Sequence, residues 1–217
     1  MRKFPRSGFR HLATLALVST LLVGCKADEV TLQIDLTTLR SAEAGNAVVA
    51  EFQAVFTHPR PLNTEQSAQV DDVWSAVGEY VEVSDFRRES VDGGLRVTVE
   101  GEIPVLTTRS AESAYFISLT ESASLGGFHR VALETGEDFA ALQSALASVN
   151  FALDLAEFHP TTLEVTGRSP RLIAPAANVG DTAHLLYDAE LEETMNIQQS
   201  GGAFDDTGGG FFVRMDR

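Results

Sequence analysis

Between Leu95 and Leu106 apolar side chains recur at every second position. Leu95, Val97, Val99, Gly101, Ile103 and Val105 share one face. Period two belongs to an extended strand, because successive side chains point to opposite sides of a sheet. The pattern repeats in Val30, Leu32, Ile34 and Leu36, alternating with polar residues, and in Val48, Ala50, Phe52, Ala54 and Phe56. Residues 40–46 break the first run, and His58-Pro59 stops the second. A chain with this much alternation has to build a sheet with one apolar face.

Two segments change the period to that of a helix. Val70, Val73, Trp74, Val77 and Val81 make one stripe, and Phe139, Leu142, Leu146 and Val149 make another. Asn63 with Gln66 resembles a capping box at the start of the first, and Thr135 with Asp138 caps the second. Asp92-Gly93-Gly94 is a hairpin signal between Tyr80–Ser90 and Leu95–Leu106. Further strands are expected at Ala114–Glu121, Phe128–Glu134, around Phe151, Leu153 and Leu155, and from Leu163 to Val165. Residues 168–181 read as loop. Residues 182–199 fit strand or helix, with strand preferred, 200–210 read as flexible, and Phe211–Met215 reads as a closing strand.

The fold class is α+β: a predominantly antiparallel sheet with about two amphipathic helices. The order strand–strand–helix–strand–strand recurs, so two organisations fit. One is a single domain over 30–217. The other is a degenerate duplication with halves at about 30–107 and 113–190, followed by a flexible C-terminal hairpin.

The N-terminal residues carry a separate message. Arg2, Lys3, Arg6 and Arg10 precede an apolar run from Leu12 to Val23, the pattern of a secretory signal peptide. The run is shorter than the ~20 apolar residues of a membrane span. It ends in Leu22-Val23-Gly24-Cys25, which resembles the lipobox of bacterial lipoproteins. The resemblance implies cleavage between Gly24 and Cys25, with removal of 1–24. It also implies a diacylglyceryl group on the Cys25 thiol, an acylated amino group, and 25–29 as a tether. Lys26, where an inner-membrane retention signal would have Asp, implies sorting to the outer membrane, facing the periplasm. In a Gram-positive cell the same signal implies the outer face of the cell membrane. Cys25 is the only cysteine, so no disulfide within the chain is expected.

Charge narrows the partners. The chain has 16 basic and 31 acidic residues. Four of the basic residues and none of the acidic ones precede Cys25, which leaves 12 against 31, a formal −19. Such a surface repels nucleic acid and anionic headgroups. Membrane contact is therefore expected through the acyl anchor alone.

No residue pattern points to catalysis, a cofactor or a metal. Asp205-Asp206 in a Gly-rich stretch invites calcium, but adjacent acids in an extended chain diverge and no EF-hand spacing follows. His58, His129, His159 and His184 lack the close spacing of zinc ligands. No G-x-S-x-G elbow occurs. Asp71-Asp72, Glu137-Asp138 and Glu192-Glu193 read as solvated pairs, and Arg87-Arg88 as ion-pair partners of neighbouring acids. The expectation is a lipid-anchored envelope protein without enzymatic activity that binds a protein partner or scaffolds. The alternative is a carrier or sensor of a hydrophobic ligand held between sheet and helices, and a hydrolase with a site assembled from distant residues stands behind both.

Overall fold

The computed structural model describes residues 27–58, 60–108, 112–149, 160–199 and 210–215. The elements in chain order are β1 (Glu29–Asp35), α1 (Leu36–Glu43), β2 (Val48–His58), α2 (Thr64–Gly78), β3 (Glu82–Val91), β4 (Gly94–Leu106), β5 (Tyr115–Glu121), β6 (Phe128–Thr135), α3 (Phe139–Val149), β7 (Thr161–Thr166), β8 (Ser169–Val179), β9 (Thr182–Leu191), β10 (Met195–Gln199) and β11 (Phe211–Arg214). The expected strand around Phe151, Leu153 and Leu155 and the stretch 200–209 lie outside the described residues.

The α+β class stands, but the sheet is not an open antiparallel one. Nine strands close into a barrel in the order β10-β7-β1-β2-β4-β5-β6-β11-β8, with β8 returning to β10. The β1–β7 and β4–β5 pairings are parallel, so the sheet is mixed. The parallel β1–β7 pairing joins segments roughly 130 residues apart in the chain, aligning Leu32 with Leu163 and Ile34 with Val165. Ile197 of β10 lies opposite Leu163 and Ala177, and Leu32 lies opposite Phe52. These inward side chains belong to one continuous apolar cluster with Ile103, Val105, Ile117, Leu119, Val131, Leu172, Phe211 and Val213. The alternation in β4 is the plainest case. Val97, Val99, Gly101, Ile103 and Val105 are buried, and the residues alternating with them are partly exposed.

Gly101 interrupts that inward series for a steric reason. A Cβ there would lie 2.2 Å from the Glu82 carbonyl oxygen and 2.7 Å from the Phe52 ring. The Phe52 ring thus covers the backbone of the residue opposite it. The β3–β4 hairpin turns through Asp92 and Gly93, both at positive φ (47° and 79°), the geometry that Asp-Gly supplies for a two-residue loop.

Three helices are described, one more than the expected two. The addition is α1. The sequence pattern carries the β1 alternation on through Leu36, but the strand ends at Asp35. Its carboxylate accepts the Thr37 N–H at 2.6 Å and the Thr37 hydroxyl at 2.5 Å, capping the helix. Leu36, Leu39 and Ala42 then bury into the barrel cluster. These hydrogen bonds, led by that from the Thr37 hydroxyl, hold the Asp35 carboxyl below its ordinary range.

α2 and α3 pack against each other and form a satellite core outside the barrel. Val73, Ala76 and Val77 meet Ala114, Leu142, Leu146 and Tyr115. The capping box of α2 is present: the Gln66 N–H donates to Asn63 Oδ1 at 2.9 Å, and the Asn63 N–H to Gln66 Oε1 at 3.0 Å. α3 begins at Phe139, four residues after the Thr135 cap expected from sequence, because β6 extends through Thr135. Tyr115 stacks edge-on with Phe139, and burial pushes its hydroxyl up to about 12.

The loop expected over 168–181 is instead mostly the eleven-residue strand β8. Two partners share one of its edges: β11 at Leu172 and Ile173, then β10 at Ala177–Val179. Between them Ala176 sits at φ 46°, a left-handed conformation uncommon outside glycine. This kink lies where the strand passes from one neighbour to the next.

Candidate interaction surface

Several residues singled out from sequence lie outside the described regions: Gly24, Cys25, Lys26, His159, Asp205 and Asp206. The other histidines sit on three different strands. His58 Nδ1 donates to the Arg60 carbonyl at 2.7 Å. His129 Nε2 lies 3.6 Å from Glu43 Oε1, and its buried Nδ1 has no partner among the described residues. His184 stacks edge-on with Tyr187. Among the described residues no group of three or more His, Cys, Asp or Glu side chains is placed to hold a metal ion.

The paired acids and arginines resolve into surface contacts. Arg88 bonds Asp71 across from β3 to α2, and Arg87 bonds Asp85 at 2.8 Å and also Glu100. Asp72, Glu137, Glu192 and Glu193 are exposed. A partly buried polar cluster that sequence gave no sign of links β5 to β6. There Glu134 accepts from Ser118 Oγ at 2.8 Å and from Arg130 Nη1 at 2.9 Å.

Barrel closure leaves two strands paired on one side only among the described residues, β3 on β4 and β9 on β8. An unpaired strand edge presents a row of N–H and C=O groups to any extended chain. On β9 it comes with apolar side chains: Leu185 is 89% exposed and Leu186 65%. Adjacent in a strand, they point to opposite faces. Further along, Tyr187 and Leu191 turn into the barrel cluster and tie the strand down. The Tyr187 hydroxyl donates to the Glu190 carbonyl at 2.5 Å.

The charge around β9 is one-sided. Asp181 stands in the turn before it, where the Glu193 carboxylate also lies beside Gly180, and Glu190 and Glu192 stand at its far end. The Tyr187 hydroxyl is raised above its ordinary range by partial burial, then by the carboxylates of Glu190, Glu192 and Glu193. Asp188 is engaged by Arg171, whose Nε and Nη2 donate to its two oxygens at 2.6 and 2.7 Å. That hydrogen bonding holds the Asp188 carboxyl below its ordinary range.

No protein-family model matches the chain, and no curated protein matches it. The surface therefore has to be read from its own chemistry. The exposed leucine pair was not singled out from sequence. Its signal was there, however: two adjacent leucines in a strand, with acids nearby, cannot both face one core.

Proposed function

We propose that this chain is a lipid-anchored envelope lipoprotein whose acidic barrel domain binds a protein partner and performs no catalysis. The anchor reading rests on the signal-like N-terminus and on Cys25 in its lipobox-like setting, followed by Lys26, which favours the outer membrane. One chain of lipid holds a protein only marginally and two or more hold it stably, so full acylation at Cys25 would suffice without a membrane-spanning segment. Among the described residues no helix is long and apolar enough to cross a membrane.

The observation that carries the binding reading is the distribution of apolar side chains. Inside the barrel they pack as one continuous cluster, from Leu32 through Ile117 to Phe211. At the surface they stand free at Leu185 and Leu186. A filled interior favours recognition at the outer surface over carriage of a hydrophobic ligand within.

Anchoring is tested with Cys25→Ser. The expected result is loss of radiolabelled palmitate from the protein and its release from the membrane fraction; persistent labelling overturns the anchor. Partner binding is tested by photo-crosslinking from several surface positions in intact cells, where adducts with a second polypeptide are expected.

A further inference from the structure

We infer that the free edge of β9, Thr182 to Leu191, accepts an extended segment of a partner protein as an added strand, and that this segment is apolar at its centre and basic at its ends. The inference rests on the protein-binding reading above and gives it a site and a partner chemistry.

Geometry makes β9 a usable template. Its pairing with β8 keeps one register from Val179↔Thr182 to Leu172↔Ala189, skipping only Leu185 opposite the Ala176 kink, and the one shift lies beyond, between Ser169 and Leu172. A strand of this regularity holds its outer N–H and C=O groups in step with an incoming backbone. Side chains then set what may enter. Leu185 and Leu186 project to opposite faces, so both faces of an added strand meet a leucine near the middle. Apolar residues at the centre of the segment would bury both. At the two ends the partner meets acid: Asp181 and Glu193 at one, Glu190 and Glu192 at the other. Asp188, nearer the middle, already has its arginine. Lysine or arginine at the ends of the segment would complement these carboxylates and speed encounter.

The same charges disfavour a second copy of this chain as the occupant. Antiparallel pairing of β9 with itself about Leu186 would bring the acid at the start of one strand beside the acids at the end of the other. Each copy also carries a net −15 before any processing. Like charges facing each other across paired strands are destabilising.

The test uses the full chain in intact cells, with p-benzoylphenylalanine replacing Leu186, Ser84 on β3 or Asp72 on α2, one position at a time. These three positions are exposed, so the fold should survive each replacement; circular dichroism of the purified protein checks this. The expected result is a strong adduct from position 186. Mass spectrometry should map it to a segment with aliphatic residues flanked by lysine or arginine. The adduct should be lost when Glu190, Glu192 and Glu193 are changed together to Gln. A cross-link to a second copy of this chain, a target segment without basic residues, or an adduct that survives the triple change would overturn the inference. Adducts from 72 or 84 without one from 186 would sink the β9 site but leave protein binding standing. No adduct from any of the three would sink both.

Discussion

β3 and β9 are both ten-residue strands on the outside of the same sheet, each paired on one side only among the described residues. β3 carries Glu82, Asp85, Arg87, Arg88 and Glu89, has a register shift between Val83 and Asp85, and lies under α2. Trp74 of α2 packs between Phe56 and Phe86, and Asp71 holds Arg88. Charge, a bulge and a covering helix are the usual ways in which a protein keeps an edge from pairing with a stranger. Along its regular stretch β9 has no bulge and no covering helix among the described residues, and its one carboxylate there, Asp188, is held by Arg171. Among the described residues only β8 pairs with it, and its most exposed large side chains are leucines. Among the described residues one free edge is thus guarded by charge and a bulge and the other much less so, and this contrast is what singles out β9 for the proposed strand addition.

The largest expected effect separates an edge leucine from a barrel leucine. Leu163→Ala removes a fully buried side chain and should cost about 2–5 kcal/mol. Leu186→Ala should stay within about 0.5 kcal/mol of the parent, as exposed substitutions do. Denaturant unfolding of both variants checks this. An equal loss for Leu186→Ala would mean that β9 is not free.

A smaller effect is expected on the guarded edge. Gly101→Ala drives a methyl toward the Glu82 carbonyl and the Phe52 ring, so about 1–3 kcal/mol should be lost. The damage should be local. Hydrogen exchange should speed up in β3 and stay unchanged in β9.

The smallest effect serves as a control remote from both edges. Asp35→Ala removes the cap of α1 and should cost about 1 kcal/mol at neutral pH. The native state holds this carboxyl below its ordinary range. Its contribution is therefore complete above the unfolded value of about 3.9 and lost as pH falls through the lower native one. The parent and the variant should converge in stability on acidification below about pH 4, as unfolding followed against pH would show. Exchange at β3 and β9 should not move.

Much of the sheet was legible because period two is a local signal. β2, β4 and β11 follow their alternation closely, and the Asp-Gly turn and the Asn63–Gln66 box are local chemistry read directly from residue types. α1 escaped because Leu36 continues the β1 rhythm and the cap is a single carboxylate. β8 escaped because Pro170 and Pro175 punctuate it, and Gly180 follows it, like a loop. Those residues mark a strand that kinks at Ala176 and changes neighbour. Barrel closure was out of reach for another reason: no periodicity says that residues near 30 pair in parallel with residues near 163, or that β8 returns to β10. The candidate surface depends on that closure. Only once β3 and β9 are known to be the strands left over does a leucine pair in an acidic segment stand out from the leucines of the core.

The most direct measurement removes the apolar pair from β9. Leu185→Asp with Leu186→Asp, in the lipidated protein, is compared with the parent for recovery of the cross-linked partner and for its unfolding midpoint. Loss of the partner with an unchanged midpoint is expected. Undiminished recovery of the partner from the doubly substituted protein would contradict β9 as the binding edge.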